Sequence, residues 1–527
     1  MSSRRFLPSR HAVQALVAGL LVAAALPPWG FWPLAIVGVA AFESALEAAD
    51  TSRQRLLRGW LFGAGWLFPG MVWMWFLTAP GYLVATAMFA LFHGVAALVG
   101  PRGAWRVLGR PAAHTLAEAL RFSFPFGGVP LASLAIGQAG GPFIGVVRVG
   151  GALLLTWFVF QVGFALVGPS PVVPALARKR GVTARGEWHG VIGLLLAVGI
   201  WAVSPLADAA DTPSASPLRV AAVQGGGPQG THAVDTPSDE VFRRHLEATQ
   251  QIEPGEADLV VWPENVIDVA VLEGSTELAA VAAEAARLDV PFAVGVTEDT
   301  ADGDHFVNSQ VIVTPEGEVF DQYDKVRRVP FGEYMPMRGL LHALGAPTDL
   351  VPRDAVAGTG PAKLSLPDGT TMAVAISWEV FFGGRVNDGI EQGATFVINP
   401  TNGSSYTWRV LQTQQVASSR LRAVEQHRWV VQVSPTGFSA FVNPEGDVVQ
   451  RSGSSQCSVA DAEAGEACEQ AVLIAEIQQF DGRTWYSNTG NWPWILLLVL
   501  LFAGCWVVPA RQWQRERQVS PPAPESE

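Results

Sequence analysis

Leu259-Val260-Val261-Trp262-Pro263-Glu264 is an apolar run that stops at a proline and hands the chain to a carboxylate. Short, β-branched and bounded by a breaker, it reads as a buried strand with Glu264 just past its end. The same pattern recurs on both sides. Residues 219–224, 292–296, 309–313, 372–376, 396–399, 429–433 and 438–442 are further strand-like runs, and 238–252, 276–288 and 409–425 carry helical patterns. Strands alternating with helices predict an α/β layered domain. Pro315-Glu316-Gly317 and Pro444-Glu445-Gly446 each stand between two strands and read as hairpin turns, which points to two similarly built halves.

The rest of the chain is a different material. Of its 527 residues 49% are hydrophobic and only 16% charged, against about 25% charged in soluble domains. Residues 1–206 hold 15 Lys+Arg against 5 Asp+Glu, a net +10, whereas residues 207–490 hold 17 against 39, a net −22. Disorder, collagen-like repeats, disulfide-knot scaffolds and nucleic-acid binding all fit poorly. Segments 12–26, 31–46, 59–77, 82–100, 146–168, 189–206 and 492–509 approach the roughly 20 apolar residues a bilayer demands. An eighth, 105–122, is weaker because it contains Arg106, Arg110, Glu118 and Arg121. Basic clusters follow alternate spans, and all of them fall on the cytoplasmic side only if 105–122 also crosses. The expected organisation is therefore a seven-span bundle over 1–206, a linker over 207–218, an extracytoplasmic α/β domain over 219–490, a last span over 491–510 and a cytoplasmic tail over 511–527. The basic, apolar N-terminus reads as an uncleaved anchor, because further spans follow at once.

Chemistry concentrates at strand ends, where sites in α/β sheets collect. Glu264 follows one apolar run, Tyr323-Asp324-Lys325 leads into Val329-Pro330-Phe331-Gly332-Glu333-Tyr334, and Ser377-Trp378-Glu379 follows another run. The chain has 32 Arg but only three Lys, at 179, 325 and 363. A lysine retained against that bias marks a place for an amine, whose pKa responds to burial as a guanidinium's does not. No His/Cys group has metal-ligand spacing, and no phosphate-cradling Gly loop or Gly-x-Ser-x-Gly elbow is present, so neither metal nor cofactor is expected. Of the three cysteines, Cys505 reads as a packing residue of the last span, and Cys457 and Cys468 as a structural bridge in an extracytoplasmic loop.

These motifs resemble the nitrilase, or carbon–nitrogen hydrolase, superfamily, whose Glu–Lys–Cys triad falls in the order and spacing of Glu264, Lys325 and position 377. With eight spans and the domain inserted before the last, the chain is similar to the apolipoprotein N-acyltransferase family. Asn308-Ser309, Arg422-Ala423-Val424-Glu425, Thr436-Gly437, Pro27-Pro28 and Glu118-x-x-Arg121 before Phe124-Pro125 add to the likeness. The resemblance implies an α-β-β-α sandwich on a membrane bundle of the inner membrane. It also implies an acyl-enzyme mechanism that moves a phospholipid acyl chain to the amine of a diacylglyceryl-cysteine on an apolipoprotein. Glu264 would be the base, Lys325 the oxyanion stabiliser, and Glu333 and Glu379 supporting carboxylates. The departure is at the centre, where the family's Cys is Ser377. A serine there is open to three readings: a working nucleophile, a natural loss that leaves a lipid- or lipoprotein-binding protein, or an engineered replacement. Retention of four buried-type charges around it disfavours long drift. A membrane-tethered amidase, with water as acceptor, is a further alternative. Trp29, Trp32, Trp73, Trp75, Trp485, Trp492 and Trp494 are expected at headgroup depth.

Overall fold

The computed structural model describes residues 9–167, 184–208, 213–229, 237–402, 409–453, 457–458 and 469–519. Helices α1 (Arg10–Ala25), α2 (Pro33–Glu47), α3 (Ser52–Gly70), α4 (Ala79–Val99), α5 (Arg106–Arg121), α6 (Val147–Val167) and α7 (Ala184–Val203) form the front of the chain. Each of the seven segments expected to cross before residue 207 is helical. Among the described residues three helical stretches are long and apolar enough to span a bilayer, Ala79–Val99, Ile144–Val167 and Trp188–Ala207, while Arg10–Ala25 and Trp492–Val508 are apolar but shorter.

The segment expected at 59–77 is divided. α3 starts earlier, at Ser52, because Thr51 and Gln54 form a reciprocal capping box. It stops at Gly70, one residue after Pro69, and a 3₁₀ turn takes over Val72–Phe76. Arg55 and Arg58, part of the basic cluster that follows the second expected span, therefore lie inside a helix and are buried. Arg55 donates to the Gly100 carbonyl, and Arg58 to that of Ala45 at 2.7 Å.

α5 explains its own weak hydropathy. Arg106, Arg110, His114 and Glu118 recur every fourth residue and so share one face, and all four are buried. Arg106 meets Glu43 at 3.1 Å and Glu47 at 2.9 Å; Arg110 meets the same two at 2.8 and 2.9 Å. His93 lies 3.2 Å from His114 and 3.3 Å from Glu118, which pairs with Arg121 at 2.6 Å. Hydropathy counts these side chains as surface, whereas the fold turns them inward and pairs them. Arg53 and Arg102 stay exposed at this end of the bundle.

The α/β domain seats on the other end. Strands β1 (Ala215–Gln224), β2 (Pro228–Gln229), β3 (Leu259–Val261), β4 (Ile267–Val269), β5 (Phe292–Asp299), β6 (His305–Val313), β7 (Val319–Asp324), β8 (Asp354–Val356), β9 (Lys363–Ser365), β10 (Thr371–Val374), β11 (Phe396–Pro400), β12 (Val430–Val433), β13 (Ala440–Val442), β14 (Val448–Arg451), β15 (Cys457–Ser458) and β16 (Ala471–Gln479) build two main sheets and a separate β2-β15 pair. One has the order β16-β1-β3-β5-β6-β7, with β4 beside β5 and β8 beside β6; the other runs β14-β13-β12-β11-β10-β9. Each holds three parallel strands, β1-β3-β5 and β10-β11-β12, followed by two antiparallel ones. The two Pro-Glu-Gly turns match bond for bond. Gly317 N–H donates to Thr314 and Gly446 N–H to Asn443, and both glycines sit at φ +86°. The two similarly built halves are thus real.

Val220, Val261, Val374, Ile398, Val431 and Phe441 form the core between the sheets. Helices α8 (Ser238–Thr249) and α9 (Thr276–Leu288) cover the outer face of the first sheet. Helices α10 (Arg338–Ala343), α11 (Gly383–Glu391), α12 (Arg409–Gln426), α13 (Trp485–Thr489) and α14 (Trp492–Val519) complete the chain. α11 and α12 cover the second sheet, and their apolar cluster is continuous with that of the bundle. The layers are α-β-β-α, as expected. Residues 215–218, read as linker, already belong to β1, because Ala215 pairs with Gln479 of the unforeseen strand β16.

α12 also joins the two parts. Gln414 accepts from Ala132 N–H at 2.8 Å and donates to the Gly70 carbonyl at 2.9 Å, and Glu425 accepts from Ala152 N–H at 3.1 Å. Of the tryptophans expected at headgroup depth, Trp73 is buried against Trp378 at 6.1 Å, and Trp494 packs on Gly150; Trp29, Trp75, Trp485 and Trp492 are exposed. Cys505 is buried against Gly109 of α5. Cys468 and the side chain of Cys457 lie outside the described residues. Replacing Glu118 by Leu strands the buried Arg121, and should lower stability by about 3–5 kcal/mol. Thermal unfolding in detergent checks this against Arg53→Ala at the exposed end; equal melting temperatures would contradict the pairing.

Candidate functional site

Glu264 lies three residues past β3, in a loop that β5 must let approach. A Cβ on Gly295 would collide with the Pro263 carbonyl and with Glu264 Cα at 2.8 Å, so the loop closes only over glycine. Trp262, fully buried beneath it, donates to Thr249 at 3.0 Å and fixes the strand end. Lys325 follows β7 directly, with its N–H bonded to the Asn308 carbonyl at 2.8 Å. Its ammonium lies 2.7 Å from Glu264 Oε1 and 2.8 Å from Glu333 Oε1. Asn308 Nδ2 repeats that bridge, at 2.8 and 2.9 Å to the same two oxygens. Glu333 Oε2 accepts from Val329 N–H at 2.7 Å, which holds the loop in place.

Two carboxylates thus share one buried ammonium. Burial alone disfavours a charged lysine, but Glu264 and Glu333 outweigh it and hold the Lys325 pKa above the ordinary lysine value. Lys325 stays charged at every physiological pH.

Ser377 lies three residues past β10, opens a 3₁₀ turn and sits at φ +51°, in the left-handed region. Among the described residues its hydroxyl bonds to Thr401 Oγ1 at 3.1 Å and Gln415 Nε2 at 3.4 Å, and Gln415 also donates to Thr401 at 2.6 Å. Glu379 ties this turn to the lysine segment. It accepts from Val326 N–H at 3.0 Å, Arg327 N–H at 2.9 Å, Ile376 N–H at 3.0 Å and Tyr323 Oη at 2.8 Å. Burial raises its pKa above the usual carboxylate value, against those donors and Arg385. Tyr323 is pushed up in turn, by burial and by the carboxylate beside it. The structure therefore brings Glu264, Lys325 and Glu333 into direct contact. Ser377 stands in a separate hydroxyl–amide network, joined to them through the Glu379 clamp.

Thr401, Gln415 and Arg385 were not singled out from sequence. The available signal was Gln412-x-Gln414-Gln415, a buried uncharged polar run inside an otherwise amphipathic helix. Among the described residues no group of three or more His, Cys, Asp or Glu side chains is arranged to hold a metal.

Residues 219–486 match the carbon-nitrogen hydrolase family model. The chain belongs to the carbon–nitrogen hydrolase family. Residues 18–165 match the apolipoprotein N-acyltransferase N-terminal domain, so both parts of the chain carry the likeness expected from their motifs. Similar proteins include the apolipoprotein N-acyltransferase of Pseudomonas syringae pv. tomato, 29% identical, with 93% of this chain and 95% of that protein covered. That of Agrobacterium fabrum is 27% identical over 96% and 97%, and that of Mycolicibacterium smegmatis 29% over 83% and 77%.

Lys325→Met should leave the buried Glu264 and the partly buried Glu333 side by side without their cation. Stability at pH 7 should fall by about 3–5 kcal/mol. Thermal unfolding checks this, and a melting temperature equal to that of the wild type would contradict it.

Proposed function

We propose that this protein is a multi-pass inner-membrane enzyme that transfers an acyl chain from a phospholipid to the amine of a diacylglyceryl-cysteine on an apolipoprotein. The observation that carries the reading is a carboxylate–ammonium–carboxylate cluster around the buried Lys325, clamped through Glu379 to the turn that bears Ser377, in a chain similar over nearly its whole length to proteins named apolipoprotein N-acyltransferase.

Each group has a role that its surroundings favour. Both donors to Glu264 meet Oε1, and Oε2 makes no hydrogen bond among the described residues, so Oε2 is the oxygen available to take a proton. In the first half-reaction Ser377 Oγ forms a bond to the ester carbonyl carbon while its proton passes to Glu264. Lys325, already charged, stabilises the oxyanion. The ester C–O bond breaks, the proton goes to the departing oxygen, and lysophospholipid leaves. The acceptor's free amine then attacks the seryl ester, gives up a proton through Glu264, and releases Ser377. Glu333 holds Lys325, and Glu379 shapes the backbone between them.

The membrane placement rests on the two ends of the bundle. Exposed Arg53 and Arg102 mark the end remote from the α/β domain, as the positive-inside preference requires for an extracytoplasmic domain. Eight spans would confine the site to lipid substrates and raise their effective concentration.

One observation favours a second reading. Among the described residues the Ser377 hydroxyl bonds to Thr401 and Gln415 rather than to a carboxylate, which suits a lipid- or lipoprotein-binding protein without turnover.

Full-length protein incubated with acyl-labelled phospholipid and a diacylated lipopeptide separates the readings. Label on the lipopeptide amine is expected, with at least a hundredfold loss in Ser377→Ala and a gain in Ser377→Cys. Free labelled acid would indicate an amidase, and binding without turnover would favour the second reading.

A further inference from the structure

A cleft of about 610 Å³ opens where the α/β domain meets the bundle. Its walls include Phe126 and Gly127 from the bundle loop, Arg327, Arg328 and Tyr334 from the segment after Lys325, and Trp378, the neighbour of Ser377. Residues from both candidate catalytic segments thus line it.

The cations of this cleft are disposed unusually for so acidic a domain. Arg385 is committed, to Asp388 at 2.7 Å and Tyr323 at 2.9 Å. Arg327 lies over the Phe382 ring at 4.4 Å and donates one N–H to the Gly127 carbonyl at 3.2 Å. Arg328 lies over Tyr334 at 4.4 Å and donates to the Ala355 carbonyl at 2.6 Å. Neither Arg327 nor Arg328 forms an ion pair among the described residues. Two adjacent guanidiniums are therefore oriented by aromatic faces and carbonyls rather than by carboxylates at ion-pair distance, although Glu379 lies near Arg327 and Asp388 and Glu391 also line the cleft. Most N–H groups of each remain for a planar or tetrahedral oxyanion, the ligand that a guanidinium fork matches.

We infer that this cleft is the subsite for the phosphodiester of the acyl donor, with Arg327 and Arg328 as its ligands. The inference rests on the acyl-transfer reading and adds a rule of selection to it. The donor carries a phosphate and the diacylglyceryl-cysteine acceptor does not, so the two arginines favour donor over acceptor in the first half-reaction. They face the seam with the bundle, where a headgroup sits when its acyl chains stay in the bilayer.

The test uses full-length protein in detergent and three soluble probes: dihexanoylphosphatidylglycerol, dihexanoylglycerol and sn-glycerol 3-phosphate, with binding followed by calorimetry. The wild type is expected to bind the phosphatidyl compound at least tenfold more tightly than dihexanoylglycerol. The Arg327→Gln/Arg328→Gln double variant should bring that ratio to within twofold, and Arg327→Lys/Arg328→Lys should keep part of it. A ratio unchanged in the double glutamine variant, or no preference in the wild type, overturns the assignment. Glycerol phosphate bound as tightly as the lipid overturns it in favour of a site for free phosphate esters. Should the double variant unfold, the single variants give the same ratio. Binding is read without turnover, so a phosphodiester preference in a protein that transfers nothing would sink the acyl-transfer reading and leave the two arginines as a phosphodiester-binding site only.

Discussion

The buried ammonium of Lys325 between Glu264 and Glu333 is the constraint around which the α/β domain is arranged. Charges this deep are tolerated only when paired and hydrogen-bonded, so three separate stretches must converge within ångströms. β3 delivers Glu264, β7 delivers Lys325, and the loop beyond delivers Glu333, while Asn308 of β6 bridges the same two oxygens as the lysine. The glycine at 295 is part of the same demand, since any side chain there would push the Glu264 loop away. The unshared negative charge left over is what makes the cluster suited to accepting a proton while keeping a cation in place.

The bundle solves a parallel problem differently. Its charged residues sit on the inner face of α5 and the facing ends of α2, where Glu43 and Glu47 answer Arg106 and Arg110. That end is remote from the α/β domain. At the near end the bundle offers backbone groups instead, and α12 takes them: Gln414 bonds to Ala132 and Gly70, and its neighbour Gln415 bonds to Ser377 and Thr401. Two consecutive side chains thus connect the helical bundle to the turn that carries the candidate nucleophile. Trp73 on Trp378 adds an apolar contact at the same place.

Much of this was legible in the sequence, for an identifiable reason. Glu264, Lys325, Glu333, Ser377 and Glu379 all lie just beyond apolar runs or in the segment that follows one, so strand periodicity exposes them. The matching Pro-Glu-Gly turns announced the two halves. What stayed hidden depends on distant partners. Arg55, Arg58, Arg106 and Arg110 look like surface charges until Glu43, Glu47 and backbone carbonyls are placed beside them. β16 could not be read because its partner β1 lies about 250 residues earlier, in a stretch whose Ser, Ala and Pro suggest a linker. Thr401 and Gln415 become visible only once α12 is docked against the turn that Ser377 opens.

The central claim is that Ser377 carries the acyl group. Brief exposure of the protein to phospholipid without acceptor, followed by acid quench, proteolysis and mass spectrometry, examines it directly. The account predicts one acyl mass on the peptide containing Ser377, removed by added diacylated lipopeptide. Acyl-lipopeptide formed with no adduct at 377, or an adduct on another residue, would contradict it.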